Sequence, residues 1–274
     1  MCQRGYPALC FSPPVSPSKP RLSGSDRIGS DRVLGAAAGL GTFAGYALVP
    51  EIAAVFIDPD IPFAQAALLG CGVMTGVGAA INTAQVRPGT TCAVFGCGGV
   101  GLNVIQGCAI AGADVIIAVD MLDNKLEMGR TFGATHLVNA SRGDPVQHIL
   151  DLTGGLGVHY AFEAIGLVPD PFLQSVLCTR RRGITTWVGH APLNTPVTID
   201  ARALMQEKTV MASMYGSARP HIDFPRLLNL YRDGKLKLDE LITRRFELAD
   251  VNEAFEVLKR GEVARSVLNL EPID

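Results

Sequence analysis

The chain has 274 residues, 48% of them hydrophobic and 18% charged, with 30 glycines and a formal net charge of −2. The near balance of 24 basic and 26 acidic side chains argues against a general nucleic-acid binder, which needs a positive surplus to displace counterions. Seven cysteines, an odd number over a chain this long, do not make a secreted disulfide framework, and the apolar content excludes a fibrous or wholly disordered protein.

Residues 1–35 hold five prolines, six serines and four glycines and show neither helical nor strand periodicity, which predicts a disordered segment. They lack the continuous apolar core of a secretory signal, and Asp26, Asp31 and the prolines count against a transit peptide. Residues 36–119 carry only five charges, Glu51, Asp58, Asp60, Arg87 and Asp114. The charge-free stretches Ile61–Val86 and Thr90–Ala113 are long enough for membrane helices. Their Gly, Ala, Asn, Gln and Thr content, and the Pro88-Gly89 turn between them, instead predict buried layers of an α/β protein.

In chain order, the pattern predicts strands over Phe43–Val49 and Ala53–Ile57 and a helix start over Pro62–Leu69. Ala93–Phe95 reads as a strand running into Gly96-Cys97-Gly98-Gly99-Val100-Gly101, with a helical stripe through Val100, Val104, Ile105, Cys108 and Ala109. Val115–Val119 is a continuous apolar strand ending at Asp120. Asp144 caps a helix with Pro145 in its first turn, ending near Gly154-Gly155. Val158–Ala164 reads as a strand, Pro171–Cys178 as a helix and Ile184–Val188 as a strand. Thr209–Met214 follows as a strand and Phe224–Tyr231 as a helix ended by Gly234. Asp250 and Glu253 suggest a capping box for a last helix through Val251, Ala254, Phe255 and Leu258, with Gly261 beyond it. Strands alternating with helices of this length make a doubly wound parallel α/β sheet the expected fold.

The glycine run has the context that a dinucleotide site requires: a strand before it, a helix after it, a second strand, and then an acid. Gly96 permits the tight turn, Gly98 lets backbone approach a pyrophosphate, and Gly101 lets the helix pack on the sheet. The opening helix offers free N–H groups and a partial positive charge to the phosphates. Asp120, 24 residues after Gly96, is placed to accept from both ribose hydroxyls and to repel a 2′-phosphate, which favours NAD over NADP. The plainer reading is a strand–helix turn with a solvated acid at the end of the next strand.

From about Gly41 to Leu270 the sequence resembles the zinc-containing alcohol dehydrogenases of the medium-chain dehydrogenase family. The matching segments are LLGCGVMTGVGAAINTAQVRPG (68–89), CAVFGCGGVGLNVIQG (92–107), IIAVDMLDNK (116–125), FEAIG (162–166) and GEVARSVLNL (261–270). The resemblance implies a Rossmann domain over 73–214, remnants of a GroES-like catalytic domain over 36–72, and a segment over 215–274 that returns to it. Residues 1–35 do not resemble the family, so an N-terminally truncated member, or a misassigned reading frame, is the expectation. Gly96, Gly98, Gly99, Val100 and Gly101 would form the pyrophosphate turn, and Asp120 with Lys125 would hold the adenosine ribose. Thr75, Val188 and Gly189 would lie along the nicotinamide, and Arg265 would reach the pyrophosphate from the last segment. Alternatively, Lys125 is a solvated helix charge and Arg265 pairs with Glu262.

Cys71 matches the family's cysteine ligand to a catalytic zinc, which takes about three protein ligands and leaves one position for the alcohol oxygen. The family's other ligand segments, and its four-cysteine structural zinc lobe, have no counterpart in this sequence. His190, directly after Val188-Gly189, is the remaining metal candidate. Cys2 and Cys10 are weak ones, and His136, His148, His159 and His221 read as ordinary surface residues. Cys92, Cys97, Cys108 and Cys178 read as small core hydrophobes. The expected function is NAD-dependent oxidation of a small primary alcohol to an aldehyde in the cytoplasm, impaired by the incomplete zinc site. The alternative is a non-catalytic NAD(H)-binding module. A homodimer or homo-oligomer is expected, formed through an edge strand near Thr209–Met214, with no membrane or nucleic-acid partner.

Overall fold

The computed structural model describes residues 5, 7–9, 42–47, 49 and 51–270. Most of the 1–35 segment, with Cys2 and Cys10, lies outside them.

Six strands, β1 (Thr91–Phe95), β2 (Val115–Asp120), β3 (His136–Asn139), β4 (Val158–Glu163), β5 (Thr179–Trp187) and β6 (Thr209–Ala212), form one sheet in the order β3-β2-β1-β4-β5-β6. Every neighbouring pair is parallel. Strand order reverses between β1 and β4, the point at which such sheets open a crevice at their carboxyl ends.

The period of two along each strand divides its side chains between the two faces. Cys92 and Val94 of β1, Ile116 and Ala118 of β2, and Tyr160 and Phe162 of β4 pack into one cluster with Val73, Met74, Val77, Leu102 and Ile105. Their neighbours Ala93, Phe95, Ile117, Val119 and Ala161 pack on the opposite face with Ile149 and Cys178. The helices alternate accordingly. α3 (Gly101–Ile110) and α4 (Asp123–Thr131) cover the first face, and α5 (Pro145–Leu152) and α6 (Pro169–Leu177) cover the second. Cys92, Cys97, Cys108 and Cys178 are all buried, as expected of small core residues.

The charge-free stretch before β1 is a helical run. α1 (Phe63–Leu68) passes through a π-turn (Leu69–Val73) into α2 (Met74–Gly78) and a second π-turn (Ala79–Thr83). Phe63–Thr83 is long and apolar enough to cross a membrane by composition alone, yet most of it is buried against the rest of the chain. Its small residues make that packing close. A methyl group on Gly76 would strike Asn103 Cβ and the Val100 carbonyl at 2.5 Å, so α2 lies directly on the start of α3.

α7 (Ala201–Leu204) leads into β6, after which α8 (Pro220–Arg232) returns to the first face through Leu227 and Leu228. Beyond it, β7 (Ile242–Glu247) and β8 (Arg265–Asn269) pair in parallel, joined by α9 (Val251–Lys259). These enclose a small cluster of Phe246, Ala254, Val257 and Val263.

Several local expectations need correction. Among the described residues, 43–57 contain no strand: residues 43–45 are a bend and Glu51–Ala53 is one 3₁₀ turn. The apolar alternation there has no neighbouring strand to pair with. Asp250 makes no side-chain capping bond, because a 3₁₀ turn (Leu248–Asp250) already leads into α9, and Glu253 instead faces Arg244 at 3.7 Å. The α4 and β3 elements and the β7–β8 pair were not apparent from periodicity. Asp144 does cap α5, accepting from the Val146 N–H at 2.9 Å, a contact worth about 1 kcal/mol.

Candidate functional site

The carboxyl end of β1 turns sharply at Gly96, whose φ of +93° suits a residue without Cβ. Its N–H donates to the Val119 carbonyl at 2.8 Å, tying the turn to β2. A methyl group on Gly101 would run into the Gly96 carbonyl oxygen, so the entry of α3 under the turn needs glycine there. Beside Gly98, by contrast, nothing lies within 4 Å of where a side chain would begin. The turn is closed on its sheet side and open at Gly98. α3 follows, its start carrying a helix's partial positive charge; the Leu102 N–H donates to the Gly98 carbonyl at 2.9 Å, and Asn103 donates to the Gly99 carbonyl at 2.7 Å to fix the bend.

Asp120 lies beside this turn. One carboxylate oxygen accepts the Cys97 N–H at 2.8 Å, and the other accepts from Met121 (2.8 Å) and Leu122 (3.1 Å). Lys125, half-buried on α4, is close enough for its charge to act on the Cys97 thiol, whose pKa is pushed far up by burial and by Asp120. The Lys125 stem packs against Gly261, and Asn124 donates to the Gly261 carbonyl at 3.3 Å. The last segment of the chain therefore docks at the acidic strand end.

That docking brings Arg265 to the turn. Methyl groups on Gly72 or Gly99 would collide with its guanidinium, so both glycines are occupied in space by this one side chain. Glu262 pairs with Arg260 at 2.5 Å, and among the described residues Arg265 has no ion pair. Burial pulls its pKa down, opposed by the charge of Cys71. A half-buried cation with no anion beside a bend of backbone N–H groups is the chemistry of a phosphate cradle. The residues present fit a dinucleotide's pyrophosphate.

Val188 and Gly189 follow β5 and both donate to the Glu163 carbonyl, at 2.8 and 3.0 Å. Thr75 is half-buried on α2, its carbonyl against Gly216. Cys71 is exposed on the first π-turn. Tyr215 stands next to it, its hydroxyl donating to the Gly70 carbonyl at 2.9 Å and its pKa pushed up to about 12 by burial and by Cys71. His190 is exposed after Gly189. Zinc is a different matter. Among the described residues no three His, Cys, Asp or Glu side chains converge, so Cys71 and His190 lack the further donors that a catalytic zinc takes. The residues present do not fit that metal.

Two residues given no role in the sequence analysis also stand at the site. Glu163 is fully buried at the carboxyl end of β4, where the signal was a lone acid closing an apolar strand. Tyr215 has a φ of +54°, which no sequence pattern announces.

Sheet order, glycine turn and acidic strand end together define a Rossmann-type α/β domain. Residues 99–233 match the family model described as zinc-binding dehydrogenase. The alcohol dehydrogenase class-3 of Cereibacter sphaeroides is 39% identical over 237 residues, 84% of this chain and 63% of the relative. The S-(hydroxymethyl)glutathione dehydrogenase of Paracoccus denitrificans is 38% identical with the same coverage. Among solved structures, benzyl alcohol dehydrogenase from Acinetobacter calcoaceticus superposes with a TM-score of 0.76 at 32% identity, covering 79% of this chain and 59% of that one. An alcohol dehydrogenase zinc-binding domain protein from Burkholderia ambifaria gives 0.79 at 34%, covering 82% and 60%. The chain is thus similar to zinc-binding dehydrogenases over residues 99–233 and to alcohol dehydrogenases over most of its own length. It spans 63% of the length of the curated relatives it matches.

Proposed function

We propose that the chain binds NAD(H) at the crevice between β1 and β4. Gly96, Gly98, Gly99, Val100 and Gly101 would line the pyrophosphate, with Arg265 as its counter-charge and Asp120 and Lys125 at the adenosine ribose. Thr75, Val188 and Gly189 would flank the nicotinamide. The observation that carries this is the Arg265 guanidinium lying on Gly72 and Gly99, without an anionic partner among the described residues. Bound NAD⁺ supplies a hydride acceptor. The protein's part is to hold the phosphates by backbone and guanidinium, and to set the ring against the ends of β4 and β5.

The relatives' names support dehydrogenation of an alcohol, and we read the reaction as oxidation of a primary alcohol to an aldehyde. One exposed thiol, Cys71, with or without His190, is too few donors to hold zinc firmly, so these residues alone are expected to turn over alcohol slowly or not at all. Titration of NADH fluorescence together with metal analysis tests both halves. Saturable NADH binding is expected without stoichiometric zinc, whereas stoichiometric zinc with alcohol oxidation would overturn the expected impairment.

A second reading, a non-catalytic NAD(H)-binding module that pairs with its own copy in the cytoplasm, is favoured by one feature. β6 is the edge of the sheet, and its outer backbone groups have no strand beside them among the described residues. Light scattering at twice the 29.0 kDa chain mass is the expected result.

A further inference from the structure

Glu163 is the only acid on β4 and is completely buried, at the strand end that faces the glycine turn. Its Oε1 accepts two backbone N–H groups, from Ile165 at 2.7 Å and from Gly166 at 2.9 Å. Its backbone carbonyl accepts two more, from Val188 and Gly189. Among the described residues its Oε2 has no hydrogen-bond partner, and it stands where a side chain on Gly189 would begin. The carboxyl therefore fastens the loop that leaves β4, whereas the loop that leaves β5 is held by the backbone carbonyl, which any residue at this position supplies. The first of these, 164–166, lies against the glycine turn: a methyl group on Gly96 would come within 2.6 Å of Ile165 Cγ1. The second carries Val188 and Gly189. The two loops touch through glycine backbone, since methyl groups on Gly166 or Gly189 would strike the opposite loop.

A buried carboxyl with one oxygen doubly bonded and the other unsatisfied is expensive to keep in a core that a glutamine or an alanine would fill more cheaply. Its geometry serves the spacing of the loops at the strand ends rather than the hydrophobic layers. We propose that Glu163 is a positioning residue for the nicotinamide half of the dinucleotide site. Its carboxyl holds the 164–166 loop, against which Gly189 packs, and so sets Val188–Gly189 relative to the Gly96 turn, while the adenosine half is set independently by Asp120 and Arg265. This rests on the dinucleotide reading above.

Two probes separate the halves: NADH, and ADP-ribose, which keeps the adenosine and pyrophosphate but has no nicotinamide. For Glu163→Ala the expected result is NADH binding weakened about tenfold or more, the scale of lost hydrogen bonds to a charged group, with ADP-ribose binding within about twofold of the unaltered chain. Glu163→Gln keeps an amide oxygen for the Ile165 and Gly166 N–H groups and is expected to recover most of the NADH affinity. If Glu163→Ala does not fold, Glu163→Asp, which withdraws the carboxylate by one methylene, is expected to give the same selective loss. Equal weakening of both ligands, or unchanged binding of both by a folded variant, would overturn the proposal. If the unaltered chain binds neither ligand, the dinucleotide reading fails first and takes the proposal with it; an unaltered chain that binds ADP-ribose while a folded Glu163→Ala keeps full NADH affinity sinks the proposal alone.

Discussion

The Asp120 carboxylate accepts the backbone N–H of Cys97 at 2.8 Å, so the acid that ends β2 and the glycine turn that ends β1 are one hydrogen-bonded unit. The bond fixes the carboxylate beside the open side of the turn, where a ribose would meet it, and lends that turn rigidity. Asp120→Ala removes three accepted N–H bonds at once. NADH affinity is expected to fall roughly 10- to 100-fold, and stability by about 1–3 kcal/mol. Because the carboxylate also repels a 2′-phosphate, the variant's preference for NADH over NADPH should narrow. Paired fluorescence titrations check this, and an unchanged preference would show that Asp120 does not face the ribose.

Arg265 meets the turn as a planar cation wedged over two glycines. Arg265→Ala should weaken ADP-ribose binding and flatten its dependence on salt, since one phosphate contact is lost. Arg265→Lys should recover only part of the affinity, because an ammonium cannot reproduce the fork of donors. Titrations at low and high ionic strength give both readings.

Glu163 gives a pH signature. Burial raises its pKa from the ordinary 4.5, opposed by the N–H groups of Gly166 and Ile165. The folded chain then keeps a proton that the unfolded chain has already released, so this group's contribution to stability is full below pH 4.5 and declines as pH rises through the folded value. Glu163→Gln cannot titrate and should lack that decline. Thermal melts of both proteins upward from pH 4.5 measure the difference.

Large apolar side chains lie open on the segment before β1. Phe63 is 92% exposed and Phe56 is 84% exposed. Burying such rings stabilises by about 1.5–3 kcal/mol each, which favours association. Light scattering is expected to show species larger than the 29.0 kDa chain, and Phe56→Ser with Phe63→Ser should shift the distribution towards the single chain.

The sheet and its turn were legible in the sequence because their causes are local. Continuous apolar runs such as Val115–Val119 announce strands covered on both faces, and Gly96, Gly98 and Gly101 before a helical stripe announce the bend. The short β3 and the mostly polar α4 are not legible in the sequence, because neither carries a strong apolar period. The strands expected over Phe43–Val49 and Ala53–Ile57 were wrong because alternation alone supplies no neighbour to pair with. The Asp250–Glu253 capping box failed in the same way: the spacing was right, but the backbone before it was already turning.

Sequence alone determined which residues make the glycine turn and which acid follows it. Only the tertiary structure decided that Arg265, 166 positions beyond Gly99, covers that glycine, and that Glu163 holds two loops together with one oxygen left over. A turn is dictated by the conformational freedom of a few adjacent residues. A guanidinium resting on a distant glycine, or a buried carboxyl facing another strand's loop, exists only once packing has chosen which surfaces meet.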